Sequence, residues 1–196
     1  MNRFKQVDVA STASGMPAAR QLARVLKQQR RMLVLTESCT GGLIASWLTT
    51  IPGISEHFCG SAVVYRNATK SSWLDVPPEK LIRPGPVSKI VAEAMARGVL
   101  EMTPEADLAA SITGHFGPNA PAHQDGLFFV GIAERFSSAP TKKVDDRNKP
   151  HLRVVVHRFR FPTASAEKHP QAVRRDRQRI AGRIVCQLLI NNLARS

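Results

Sequence analysis

Cysteine is scarce in this chain. Three of its 196 residues, Cys39, Cys59 and Cys186, are an odd number with no Cys-x-x-Cys spacing. That argues against a disulfide framework and for a reducing, cytoplasmic compartment. Long apolar runs are missing too: none approaches the ~20 residues of a membrane span. The first ten residues carry Arg3, Lys5 and Asp8 and no apolar stretch, so no secretory leader is read there. Metal-ligand spacing is also lacking. His57 and Cys59 form an isolated pair, and His115, His123 and Asp125 are loosely spaced, so no metal is expected. Acidic residues are the minority, 15 against 28 lysines and arginines, for a net charge of +13. Residues 1–140 hold only +3 of it and residues 141–196 hold +10. A solvated helix face and a basic loop account for that excess. Without interleaved aromatic platforms, no nucleic-acid partner is expected.

What remains is enough for one globular domain, 43% hydrophobic. Residues 1–17 read as a flexible N-terminal segment and 18–196 as the domain. Apolar positions at helical spacing (Ala19, Leu22, Val25, Leu26) predict a helix over 18–29. A buried strand is expected at 32–36 and a helix at 40–50, ended near Pro52-Gly53. Ser61 to Tyr65 reads as a second strand, and the polar stretch 66–72 as a connecting loop. Ser88 caps a helix with Ile90, Val91, Ala94, Met95 and Val99 on its apolar face. Strands follow at 108–112, 127–133 and 153–159, with a polar hairpin tip over 137–150. An amphipathic helix over 174–193 closes the chain. Early alternation of strand and helix followed by a hairpin predicts an α/β fold with a mixed sheet and helices on both faces.

The junction Glu37-Ser38-Cys39-Thr40-Gly41-Gly42 carries the chemistry. A strand that turns sharply into a helix leaves side chains and free backbone N–H groups at a strand's carboxyl end, where ligands of open α/β sheets bind. No lysine follows the glycine pair, so this is not a P-loop. Ser38 and Cys39 are both candidate nucleophiles. Tyr65 ends the second strand and Lys70 follows five residues later. If the two strands are parallel neighbours, the three side chains meet. A serine hydroxyl needs a base at neutral pH, and a desolvated lysine supplies one.

At these residues the chain resembles the C-terminal domain of the competence/damage-inducible protein CinA, a family that includes nicotinamide mononucleotide deamidases. The resemblance rests on Thr36-Glu37-Ser38-Cys39-Thr40-Gly41-Gly42, Ile51-Pro52-Gly53-Ile54-Ser55, Val64-Tyr65-Arg66-Asn67 with Lys70, Gly85-Pro86-Val87-Ser88, Met95-Ala96 and Thr113-Gly114-His115-Phe116-Gly117-Pro118. It implies a three-layer α/β/α sandwich with a mixed, mostly parallel sheet, assembled as a homo-oligomer. It implies hydrolysis of the carboxamide of nicotinamide mononucleotide to nicotinate mononucleotide and ammonia, with no cofactor. Ser38 corresponds to the catalytic serine, and Tyr65 and Lys70 to its partners. Thr40, Gly41 and Gly42 would offer N–H groups to an oxyanion. Thr113, Gly114 and Gly117 would line the nucleotide site, and Asn67 would hold Tyr65 or the substrate. An arginine of the last helix, Arg174, Arg175 or Arg177, would meet the phosphate, with Arg175 taken as the ligand. The family's usual Gly-Ile-Ala-Gly-Pro is here Gly114-His115-Phe116-Gly117-Pro118. The alternative expectation is a non-catalytic member that binds a nucleotide or a protein.

Overall fold

The computed structural model describes residues 5–7, 15–117, 120–136, 151–163 and 169–195. In chain order its elements are β1 (Lys5–Gln6), α1 (Met16–Gln29), β2 (Leu33–Glu37), α2 (Leu43–Thr49), β3 (Phe58–Val63), α3 (Asn67–Leu74), α4 (Pro78–Ile82), α5 (Lys89–Glu101), β4 (Leu108–Gly114), β5 (Leu127–Phe136), β6 (His151–Arg160) and α6 (Pro170–Leu193). The hairpin tip expected over 137–150 lies outside the described residues. Among them, no helix is long and apolar enough to cross a membrane.

Every residue of β2 is buried, because both faces of this strand are covered. Leu33 and Leu35 pack into one core with α1, α2 and α6. Val34 points the other way, into a second core with α3, α4 and α5. The same alternation runs through β4, with Leu108, Ala110 and Ile112 on the first face and Ala109 on the second. The result is the three-layer α/β/α sandwich expected from the sequence. The sheet order is β1-β6-β5-β4-β2-β3. Pairings β1–β6, β2–β3 and β2–β4 are parallel, and β4–β5 and β5–β6 are antiparallel.

One helix was not read from the sequence. The stretch taken as a connecting loop contains α3, and Lys70 sits on it. Only Lys70 and Leu74, one turn apart, are buried in α3. So narrow a buried face leaves no apolar stripe to detect. The C-terminal end of α3 lies hard against α5: a Cβ built on Gly98 would come 2.2 Å from the Leu74 carbonyl oxygen.

This topology creates the site. The chain leaves β2 through α2 on one face to reach β3. It then returns through α3, α4 and α5 on the other face to β4, on the opposite side of β2. Two crossovers departing to opposite faces leave a crevice at the carboxyl end of the central strand.

Candidate active site

Ser38 follows β2 directly, and its N–H donates to the Ile112 carbonyl of β4 (3.1 Å). The chain then reverses. Gly41 N–H donates to the Ser38 carbonyl (3.1 Å), and Gly41 and Gly42 have φ of +64° and +91°. Side chains rarely adopt that region, so the glycine pair is a backbone requirement of the turn. Glu37, fully buried, turns its carboxylate into the start of α2. Its Oε2 accepts from the N–H groups of Gly42 (3.1 Å) and Ile44 (3.3 Å), and Oε1 from Ala45 N–H (2.9 Å). The protein's own anion therefore occupies the N-terminus of α2. The glycine N–H groups expected to face an oxyanion are consumed internally: Gly41 by Ser38 and Gly42 by Glu37. Cys39 and Thr40 are the residues of this turn whose N–H groups find no acceptor among the described residues.

Lys70 is the largest fully buried side chain of the described residues. Its Nζ lies 2.8 Å from the Val64 carbonyl oxygen, 3.2 Å from Ser38 Oγ and 3.4 Å from the Tyr65 carbonyl oxygen. Burial disfavours the ammonium and lowers its pKa from 10.5 to about 8. A neutral amine suits these three partners. As an ammonium Lys70 donates to all three, Ser38 Oγ included; as a neutral amine it keeps two N–H donors for the carbonyls and a lone pair for the Ser38 hydroxyl.

Tyr65 is elsewhere. Its ring is 60% exposed at the mouth of the cleft, and its hydroxyl accepts from Arg174 Nη2 (2.9 Å). Arg174 Nη1 donates to the Gly117 carbonyl (2.7 Å), so one guanidinium bridges the β3–α3 and β4–β5 connections. Arg177, the third candidate arginine, is buried and spent on a bidentate pair with Asp125 (2.6 and 2.9 Å) that depresses the Asp125 pKa. Arg175, the arginine expected at the site, is exposed and does not line the cleft, whereas Arg174 does. Cys39 is buried and its thiol pKa is pushed far up by desolvation, which leaves a poor nucleophile.

The cleft has a volume of about 230 Å³. Ser38, Cys39, Tyr65, Asn67, Lys70, Thr113, Gly114, His115, Phe116, Gly117 and Arg174 line it; Thr40, Gly41 and Gly42 do not. Thr113 Oγ1 donates to the Pro86 carbonyl (2.8 Å), fixing the end of β4 to the segment before α5. A Cβ on Gly114 would meet Phe128 Cβ at 2.6 Å and Cys39 Sγ at 3.2 Å. Phe116 directs its ring into the core, edge-on to Phe128 and Phe161 (centroids 5.6 and 5.5 Å).

Gln178 was missed in the sequence. One turn beyond Arg174 on α6, its Nε2 donates to the Cys39 carbonyl (2.9 Å) and holds the serine turn from behind. The four-residue spacing of Arg174 and Gln178 is a readable signal, but only once this face of α6 is known to meet the sheet's end.

The comparisons with known proteins agree with this architecture. A family model described as the CinA C-terminal domain matches residues 16–160. A CinA-like protein of Myxococcus xanthus is 42% identical over 151 residues, covering 73% of this chain and 36% of that protein. The chain thus spans about a third of that relative's length. Among solved structures, the competence/damage inducible protein CihA of Agrobacterium tumefaciens superposes with a TM-score of 0.73 at 28% identity, covering 99% of each chain. A CinA superfamily protein of Klebsiella pneumoniae gives 0.73 at 23% identity, over 94% of this chain and all of that one, and shares the fold.

Proposed function

The chain belongs to the CinA C-terminal domain family, and from that premise we propose that it is a cytoplasmic amidohydrolase acting on nicotinamide mononucleotide. The products are nicotinate mononucleotide and ammonia. The observation that carries this reading is the contact between Ser38 Oγ and the buried Nζ of Lys70. Neutral Lys70 takes the Ser38 proton as Ser38 Oγ attacks the carboxamide carbon. The N–H group of Cys39, the residue after the nucleophile and one that lines the cleft, stabilises the oxyanion. The protonated Lys70 then gives its proton to the departing amine, releasing ammonia. Neutral Lys70 then deprotonates a water that attacks the acyl carbon, and returns that proton to Ser38 Oγ as the acyl–oxygen bond breaks and the carboxylate leaves. Tyr65, whose hydroxyl is hydrogen-bonded to Arg174 and not to Ser38, serves the cleft's mouth rather than the proton transfer. Arg174 takes the substrate phosphate, exchanging its bond to the Tyr65 hydroxyl for two charge-assisted ones. Asn67, Thr113, Gly114 and Gly117 form the walls of the nucleotide site. The active form is a homo-oligomer, as the resemblance implies.

The test is ammonia release from nicotinamide mononucleotide. Ser38→Ala abolishes it and Cys39→Ala retains it. Loss with Cys39→Ala alone overturns the nucleophile. A folded wild type that releases no ammonia overturns the reaction in favour of a nucleotide-binding member without turnover.

A further inference from the structure

We propose that His115 is a specificity-determining residue that accepts a hydrogen bond from a sugar hydroxyl of the substrate, between the amide end and the phosphate end of the cleft. The inference rests on the amidohydrolase reading above for its substrate class. Its geometric support is the run Gly114–Gly117, whose residues all line the cleft. At one end Gly114 packs against Cys39, next to Ser38. At the other, the Gly117 carbonyl holds Arg174. His115 and Phe116 span the interval. Phe116 is 1% exposed, with its ring in the aromatic core, so His115 is the polar side chain this run brings to the cleft.

The backbone of His115 is rigid. Its N–H donates to the Leu127 carbonyl (2.8 Å) and its carbonyl accepts from Gly126 N–H (2.9 Å). Burial lowers the pKa of its imidazole, which favours the neutral ring. A neutral imidazole carries one N–H donor and, on the other nitrogen, a lone pair. That lone pair matches an O–H donor and repels an oxyanion. In a mononucleotide, the segment between base and phosphate is the sugar, whose exposed groups are hydroxyls.

The experiment compares ammonia release from nicotinamide mononucleotide and from its 2′-deoxy and 3′-deoxy analogues, in wild type, His115→Leu and His115→Gln. In wild type, kcat/KM falls about tenfold when the recognised hydroxyl is removed. In His115→Leu the intact and deoxy substrates become equal, whereas His115→Gln, which keeps an acceptor, preserves part of the preference. A wild type indifferent to both hydroxyls, or a preference that survives in His115→Leu, overturns the proposal. If the wild type releases no ammonia, the reaction is refuted but the inference is still judged, by calorimetric titration of the same nucleotides. A hydroxyl preference in Kd lost in His115→Leu supports it, and absence of binding overturns it. Should His115→Leu not fold, the wild-type imidazole resonance that vanishes in His115→Gln decides. It shifts with the intact nucleotide and stays in place with the analogue lacking the recognised hydroxyl; a resonance unmoved by either, or shifted alike by both, overturns the proposal.

Discussion

At the scale of the residue, Lys70 holds the site's energetics. Burial makes the amine of Lys70 easier to neutralise than it is in water, and its pKa near 8 reflects that. Only the neutral form can take the Ser38 proton. kcat/KM is therefore expected to rise about tenfold per pH unit below 8 and level off above it. A flat pH–rate profile between pH 6 and 9 would remove Lys70 as the base. The same shift has a stability consequence. Because the folded pKa is depressed relative to the unfolded 10.5, the unfolded chain binds more protons between pH 8 and 10.5. Stability from this group therefore grows as pH rises through that window. Relative to Lys70→Met, which is expected to be inactive but folded, wild type gains on the order of 3 kcal/mol between pH 7.5 and 10.5, as read from paired denaturation curves. The pairing of Ser38 with Lys70 was legible from strand-end positions. The placement of Tyr65 at the mouth was not, because side-chain direction at a strand end depends on what packs around it.

At the scale of the element, the β2–α2 junction is held by one carboxylate. Glu37→Gln keeps the shape of the side chain but leaves either Ala45 N–H or the pair from Gly42 and Ile44 without an acceptor. A loss of about 2 kcal/mol is expected in urea denaturation. It comes with a drop in kcat larger than any change in KM, since the turn that aims Ser38 loosens. Unchanged stability would mean that these bonds do not hold the turn. The sequence marks Glu37 only as a polar residue before a glycine pair. Its role depends on the turn folding back far enough for residues 42–45 to reach it. The helical nature of 67–74 was illegible for a related reason: α3 is stabilised by docking two side chains, not by a repeating apolar stripe.

At the scale of the whole molecule, α6 joins the far end of the chain to the catalytic turn. Arg174 lines the cleft, Gln178 braces the serine turn behind it, and Gly182 lies against Trp47 of α2. A Cβ on Gly182 would come 2.7 Å from the Trp47 ring, and a Cβ on Gly15 would come within 2.1 Å of the same ring. Gly182→Val is expected to cost at least about 2 kcal/mol and to raise KM by moving Arg174. The displacement is read from altered fluorescence of Trp47. A variant with unchanged stability and KM would mean that α6 does not depend on this contact. The basic excess of the C-terminal third also finds structural use here. Arg177 anchors Asp125 in the β4–β5 connection and Arg174 closes the cleft.

Local pattern alone determined the apolar strands β2, β4 and β5, the helices α1 and α5, and the glycine-dependent turn after Glu37. Each follows from side-chain periodicity or a backbone angle, which neighbouring residues specify. Which residues share the cleft was decided by the tertiary structure. The choice of Arg174 over Arg175 turns on the rotation of α6 against the sheet. The loss of the Gly42 N–H to Glu37 turns on how sharply the chain folds back. The burial of Lys70 turns on α3 docking beneath the strand ends. The Ser38–Lys70 and Tyr65–Arg174 contacts join residues 32 and 109 positions apart, and no short-range pattern encodes them.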